Sequence, residues 1–203
     1  MVAAKQKKRG QVNRSRTKMI LIGTEGRNKT EKIYFNEFFR NSKNHKVRFP
    51  SSTETDPEGI VQSAIRFIRN EELDLSHGDL AFCVMDTDTD KSKQAQIDKA
   101  LRLAEKNEIQ VLLSNPCFEI WFLQHFRYST KNYLSNDEVI KELAMYIQEY
   151  KKNSNVFDLL KNKQDDAVKR AKQLEKFHAD LGRKQNSMEC NPSTAVYKIT
   201  EIE

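Results

Sequence analysis

The sequence predicts an α/β fold: a mainly parallel, four-stranded sheet flanked by helices, followed by a C-terminal helical cap. Short apolar runs of strand length recur at 19–23, 46–49, 80–85 and 109–114. The last two are nearly continuous, as in strands covered on both faces. Helical spacing fills the intervals, and strand alternating with helix is the pattern of right-handed βαβ crossovers. From about 134 onward strand patterning stops and only helical spacing is read, which places the cap at 134–203.

Each element has a local reason. "KMILIGTEG" gives a strand from Met19 to Gly23 that ends in a turn. Asn28 with Glu31 three residues later is a helix-start signal, and Ile33, Tyr34 and Phe38 follow at helical spacing. "KVRF" at 46–49 is a weaker strand, after which Asp56-Pro57-Glu58 supplies an N-cap, a proline at the first helical position and an acid for the helix dipole. Ile60, Val61, Ala64, Ile65 and Ile68 form that helix's buried face. Leu80 to Met85 belongs in the middle of the sheet. Residues 92–106 read as helix, 109–114 as strand, and Asn115-Pro116 as the cap and opening of the aromatic-rich helix "CFEIWFLQHF". In the cap, Ser135 and Glu138 make a capping-box pattern, and 164–180 and 194–201 read as helices.

Composition bounds the function. A chain of 203 residues with 37% hydrophobic and 32% charged content suits one soluble domain, 19–203, behind a basic, disordered arm, 1–18. No apolar run approaches the roughly 20 residues of a membrane span. The N-terminus has no apolar core like that of a signal peptide, so a cytoplasmic location without membrane association is expected. Cys83, Cys117 and Cys190 are odd in number and lack CxxC spacing, which points to buried thiols rather than disulfides or zinc. The net charge of +6 is a property of the arm: Lys5, Lys7, Lys8, Arg9, Arg14, Arg16 and Lys18 stand there without an acid, and taking those seven from 35 basic residues leaves 28 against 29 acidic ones. Such an arm, with Lys7, Lys8 and Arg9 at its centre, suits either nucleic-acid phosphates or plain solvation.

The stretch "AFCVMDTDTD" runs from a strand into Asp86, Asp88 and Asp90. In open α/β sheets reactive groups gather beyond the carboxyl ends of strands, and Glu25 stands at the end of the first one. If 82–88 stays extended, Asp86 and Asp88 point to one side, roughly 6 to 7 Å apart at Cα. Crowded carboxylates resist joint ionisation unless a cation offsets them, and Mg²⁺ or Mn²⁺ prefers oxygen ligands and keeps several waters. With Glu25 as the third carboxylate, brought close if the two strands are neighbours, the set matches the needs of metal-assisted phosphodiester cleavage. Acids that only cap helices or face solvent are the plainer alternative. A dehalogenase-type phosphatase would require the later pair Asp165-Asp166, which falls in a predicted helix. An EF-hand would require a mid-loop glycine and a terminal glutamate, and a P-loop a Gly-Lys pair; all are missing.

The motifs "TEGRNKTEKIYF" (24–35), "VMDTDTD" (84–90), "NPCFEIWFLQHF" (115–126) and "NPSTAVYKI" (191–199), in this order, resemble the RloB family over nearly the whole chain after the arm. The resemblance implies a TOPRIM/Rossmann-like core, and a place in restriction-modification or phage-defence loci, including abortive infection, often beside an RloA-like ATPase. It implies Mg²⁺ or Mn²⁺ held by Glu25, Asp86 and Asp88, with Asp90 as an extra ligand. The family's EGxxTE pattern is longer by one residue here, "EGRNKTE".

Other candidates have two readings each. Glu119 could bind a second metal or orient water, or only complement the helix dipole. His125 is read as packed or hydrogen-bonded in preference to a general base, and Trp121 as core. Arg27 and Lys29 could bind a scissile phosphate or be solvated. Asn191-Pro192-Ser193-Thr194 is read as the start of the last helix. The leading expectation is a divalent-metal-dependent nuclease in phage defence, with nucleic acid as its partner. The alternative is a non-catalytic binding subunit of an ATPase-containing complex. DNA against RNA, and the oligomeric state, are left open by the sequence.

Overall fold

In a computed structural model, which describes residues 16–26 and 29–203, the apolar runs pair side by side. Strands β1 (Lys18–Gly23), β2 (His45–Arg48), β3 (Leu80–Asp86) and β4 (Gln110–Asn115) are the predicted set. The sheet order is β2-β1-β3-β4-β5, with the first four strands mutually parallel. The fifth, β5 (Ser193–Thr194), pairs antiparallel with β4 through Ser114↔Thr194 and Asn115↔Ser193. It corrects two expectations: strands do not stop at 134, and the second Asn-Pro motif leads into a strand. The last helix, α8 (Tyr197–Thr200), begins only after it.

Strand parity sorts the core into two layers. Ile20, Ile22, Phe82, Val84 and Leu112 face one way, against α1 (Thr30–Phe38), α4 (Glu119–Gln124), α5 (Asn136–Leu143) and α7 (Gln164–Asp180). Leu21, Ala81, Cys83, Met85 and Leu113 face the other, against α2 (Pro57–Asn70) and α3 (Gln94–Glu105). Trp121 is fully buried in the first layer among Tyr34, Phe35, Phe118 and Phe122. Burying the Trp121 and Phe122 rings favours the short helix that carries them.

The caps follow the sequence in two places. Asp56 accepts from the Gly59 N–H at 2.8 Å ahead of Pro57. Ser135 accepts from the Glu138 N–H at 3.3 Å, while Glu138 reaches back to the N–H of Leu134, one residue before the cap. At 115 the reading fails. Asn115 is the last residue of β4, held there by its pairing with Ser193, and α4 starts at Glu119.

At the opposite, amino-terminal edge, buried Asp79 accepts from the N–H groups of Met19 at 2.8 Å and Asp74 at 3.0 Å and pairs with Arg16 at 2.6 Å. Arg16 and Lys18 thus belong to the domain and not to a solvated arm. The arm's Lys7, Lys8 and Arg9 lie outside the described residues, as does the Asn28 helix-start signal. No helix among the described residues is long and apolar enough to cross a membrane.

Candidate active site

After β1 and α1 the chain forms β2 beside β1, then passes back over β1 to place β3 on its other side. The strand order therefore reverses between β1 and β3, and a crevice opens beyond their carboxyl ends at such a switch point. Glu25 follows the end of β1, and Asp86 closes β3. Their register, Gly23↔Cys83, sets them as neighbours.

Three local features shape the crevice. Gly26 donates its N–H to Glu54 O at 2.8 Å, and a Cβ on it would stand 2.3 Å from Ser52 O, so only a glycine lets the loop after β1 lie this close to 52–54. Beyond β3 the chain does not stay extended. Thr87 N–H bonds Ser114 O at 3.0 Å, Asp88 N–H bonds Pro116 O at 2.9 Å, and Asp88 takes a left-handed φ of 52°. Asp88 is thereby turned toward α3 and α5: it pairs with Lys93 and accepts from Asn136 Nδ2 at 3.0 Å. At the start of α1, Asn153 holds the Lys29 N–H through its side chain at 2.8 Å and donates its own N–H to Thr30 Oγ1 at 3.0 Å.

Glu25, Glu31, Asp86, Asp88 and Lys93 line one small pocket of about 50 Å³, walled by Pro57, Ile60 and Ile97. Four carboxylates face one ammonium there. Asp86 has the parity of Phe82 and Val84 and so points toward the α1 and α4 layer, where Glu31 and Glu119 stand. Burial pushes its carboxyl well above the usual range, and the charges of Glu31 and Glu119 push it further, against an opposing pull from Lys152. Buried Glu31 is raised to about 7, first by desolvation and then by Glu119 and Glu25. Glu119 is fully buried, accepts from Tyr150 Oη at 3.0 Å, and is not among the residues lining the pocket.

The donor chemistry fits a hard divalent cation. Asp86 Oδ1 is buried without a hydrogen-bond partner among the described residues, and an unmatched buried carboxyl oxygen is costly unless the group keeps its proton, as its raised pKa favours, or a positive charge meets it. Among the described residues no three acidic, histidine or cysteine side chains already enclose an ion site. Magnesium ordinarily takes one or two carboxylates and fills its shell with water, so a loose acidic pocket is compatible with it.

The structure thus brings Glu25, Asp86 and Asp88 to one pocket. Asp90 turns outward, exposed, and its carboxylate accepts from the Ser92 N–H at 2.9 Å. Lys29 is exposed at the start of α1 and makes no ion pair among the described residues. Arg27 lies outside the described residues. His125 is buried with Nδ1 bonded to Trp121 O at 2.9 Å, and burial lowers it to about 4, as a packed histidine requires. Two residues escaped the sequence reading, and a third, Glu31, was seen without its orientation. Glu31 was visible as the last residue of "EGRNKTE", but its direction depended on where α1 begins. Lys93 and Lys152 carried no motif signal: Lys93 ends a 3₁₀ helix and Lys152 lies in a turn, and the sequence does not reveal the path of either.

A family model described as RloB-like protein matches residues 20–202 of the chain. No curated protein and no solved structure matches it.

Proposed function

Since the chain belongs to the RloB-like family, which is associated with defence, we propose that it is a divalent-metal-dependent nuclease that hydrolyses phosphodiester bonds, with Glu25, Asp86 and Asp88 as the residues that hold Mg²⁺ or Mn²⁺. The observation that carries this reading is the shared pocket: acids from the ends of two adjacent parallel strands meet at the point where strand order reverses. When bound, the ion supplies charge neutralisation for the phosphate and a water of lowered pKa.

The chain's own groups supply the rest. Glu31, raised to about 7, is poised to take up and return a proton near neutral pH. Lys93, at the pocket wall, is placed to exchange its pairing with Asp88 for one with a phosphate oxygen. Lys29 and Arg27 would meet the flanking phosphates. Glu119, buried and outside the pocket lining, helps to raise the carboxyl of Asp86.

The test is Asp86→Asn and Glu25→Gln in an assay of Mn²⁺-dependent cleavage of DNA and RNA. Both substitutions should abolish cleavage without changing the circular dichroism spectrum; a variant that still cuts refutes the assignment of that residue. A second reading, a non-catalytic subunit of an ATPase-containing defence complex, is favoured by the pairing of Lys93 with Asp88, which already satisfies one of the acids. Calorimetric Mn²⁺ binding without cleavage, with and without an RloA-like ATPase, would select it.

A further inference from the structure

Next to the acidic pocket lies a much larger groove of about 660 Å³, and Asp88 lines both. Its volume falls in the range of small-molecule sites, ~300–1,000 Å³. Two segments form its facing walls, one carrying Asn132, Tyr133 and Leu134, the other Met188 and Glu189.

Three amide side chains on its floor hold those walls in place. Asn191 accepts from the Tyr133 N–H at 3.0 Å and donates to the Tyr133 carbonyl at 2.8 Å. Gln94 accepts from the Met188 N–H at 3.0 Å, and Asn115 donates to the Met188 carbonyl at 3.1 Å. The first wall is further tied to Asp88 through Asn136, next to the helix cap at Ser135. Both sides of the groove are therefore set by side-chain bonds to backbone, which makes it a preformed site rather than a gap between loops.

The lining selects the occupant. None of its residues is a lysine or arginine, while Asp88 and Glu189 are acidic, so the groove is not a track for phosphates. Asn191 and Gln94 are spent on the walls, so the groove offers the exposed amide of Asn132, which can both donate and accept, beside the apolar surfaces of Leu134 and Met188. Leu134 is 72% exposed, so its side chain is open to whatever occupies the groove. Hydrogen-bonding edges beside an apolar face are the features that recognise a nucleobase.

Resting on the nuclease reading, we infer that the groove seats an unpaired nucleoside adjoining the scissile phosphate, and that the substrate is single-stranded nucleic acid or a single-stranded loop. In a duplex the base edges are paired and the faces stacked, so neither is offered to the walls without unpairing. The acids then act on the phosphate at the Asp88 end, and the groove reads the nucleoside beside it.

The experiment compares the full chain with an Asn132→Ala/Leu134→Ala double variant, both positions being exposed. The substrates, each with Mn²⁺, are single-stranded RNA, single-stranded DNA, the matching duplexes, and bis(p-nitrophenyl) phosphate, a diester without a base. Expected are preferential cutting of a single strand, a KM for it raised about tenfold or more in the variant, as loss of one base contact costs, and equal rates on the base-free diester. Equal cutting of duplex and single strand, or an unchanged KM in the variant, overturns the inference while leaving the nuclease reading intact. If no substrate, including the diester, is cut, the nuclease reading fails. The groove is then judged by fluorescence anisotropy of a labelled single-stranded pentamer: binding weakened in the variant supports it, and equal or absent binding overturns it.

Discussion

Replacing Glu31 by glutamine should stabilise the metal-free protein, and only at neutral to alkaline pH. The carboxyl of Glu31 is buried and raised from 4.5 to about 7. An acid whose folded pKa lies above its unfolded one binds more protons when folded, so stability falls as pH rises through the interval from 4.5 to about 7 and stays low beyond it. The full interval is worth ~3 kcal/mol. Glutamine keeps the shape and never ionises, so it escapes that loss. Urea unfolding in EDTA should show Glu31→Gln more stable than wild type by ~3 kcal/mol at pH 8 and by less than ~1 kcal/mol at pH 5. Saturating Mn²⁺ should narrow the gap at pH 8, because the ion stabilises the wild-type acids by binding the folded state alone. A gap of equal size at both pH values, or none at pH 8, would refute the assignment of Glu31 to a charge-crowded pocket.

Gly26→Ala should lose most Mn²⁺-dependent cleavage and ~1–3 kcal/mol of stability, since its Cβ would meet backbone at Ser52 and Thr53 that cannot swing aside; steady-state kinetics and thermal melts check it. Tyr150→Phe removes a hydrogen bond to the buried Glu119 carboxylate and should cost ~1–3 kcal/mol in chemical denaturation. All three thiols are buried, and burial pushes Cys83 up to about 12, so a thiol-specific chromogenic reagent should label none of them in the native protein at pH 8 and all of them in denaturant.

The strands that make the sheet were readable because each is a run of apolar residues bounded by turn formers, and a buried parallel strand needs nothing more. That Glu25, Asp86 and Asp88 come to one pocket was readable because the topology delivers strand ends to one edge. β5 was not: two residues have no periodicity, and this strand exists through Ser114 and Thr194, whose hydroxyls bond at 2.9 Å across 80 residues of chain. The same pairing keeps Asn115 in β4 and delays α4 to Glu119, against the reading of Asn-Pro as a cap. Asp88 also departed from its expected path. The alternation Asp86-Asp88 suggested extended chain, whereas the bond from its N–H to Pro116 O draws the backbone into a left-handed turn that hands the side chain to Lys93. Pairings this distant in sequence leave no trace in local pattern.

The bonds of Asp79 have a reach beyond their own edge of the sheet. By gripping Met19 at the entrance to β1 while standing at the entrance to β3, this carboxylate keys the two strands to each other where both begin. Sliding one strand by a residue would turn its side chains inside out, and the acids downstream would then face away from one another. The spacing of the charges at the top thus rests on the β1–β3 ladder and on an aspartate at the bottom that helps to hold its register.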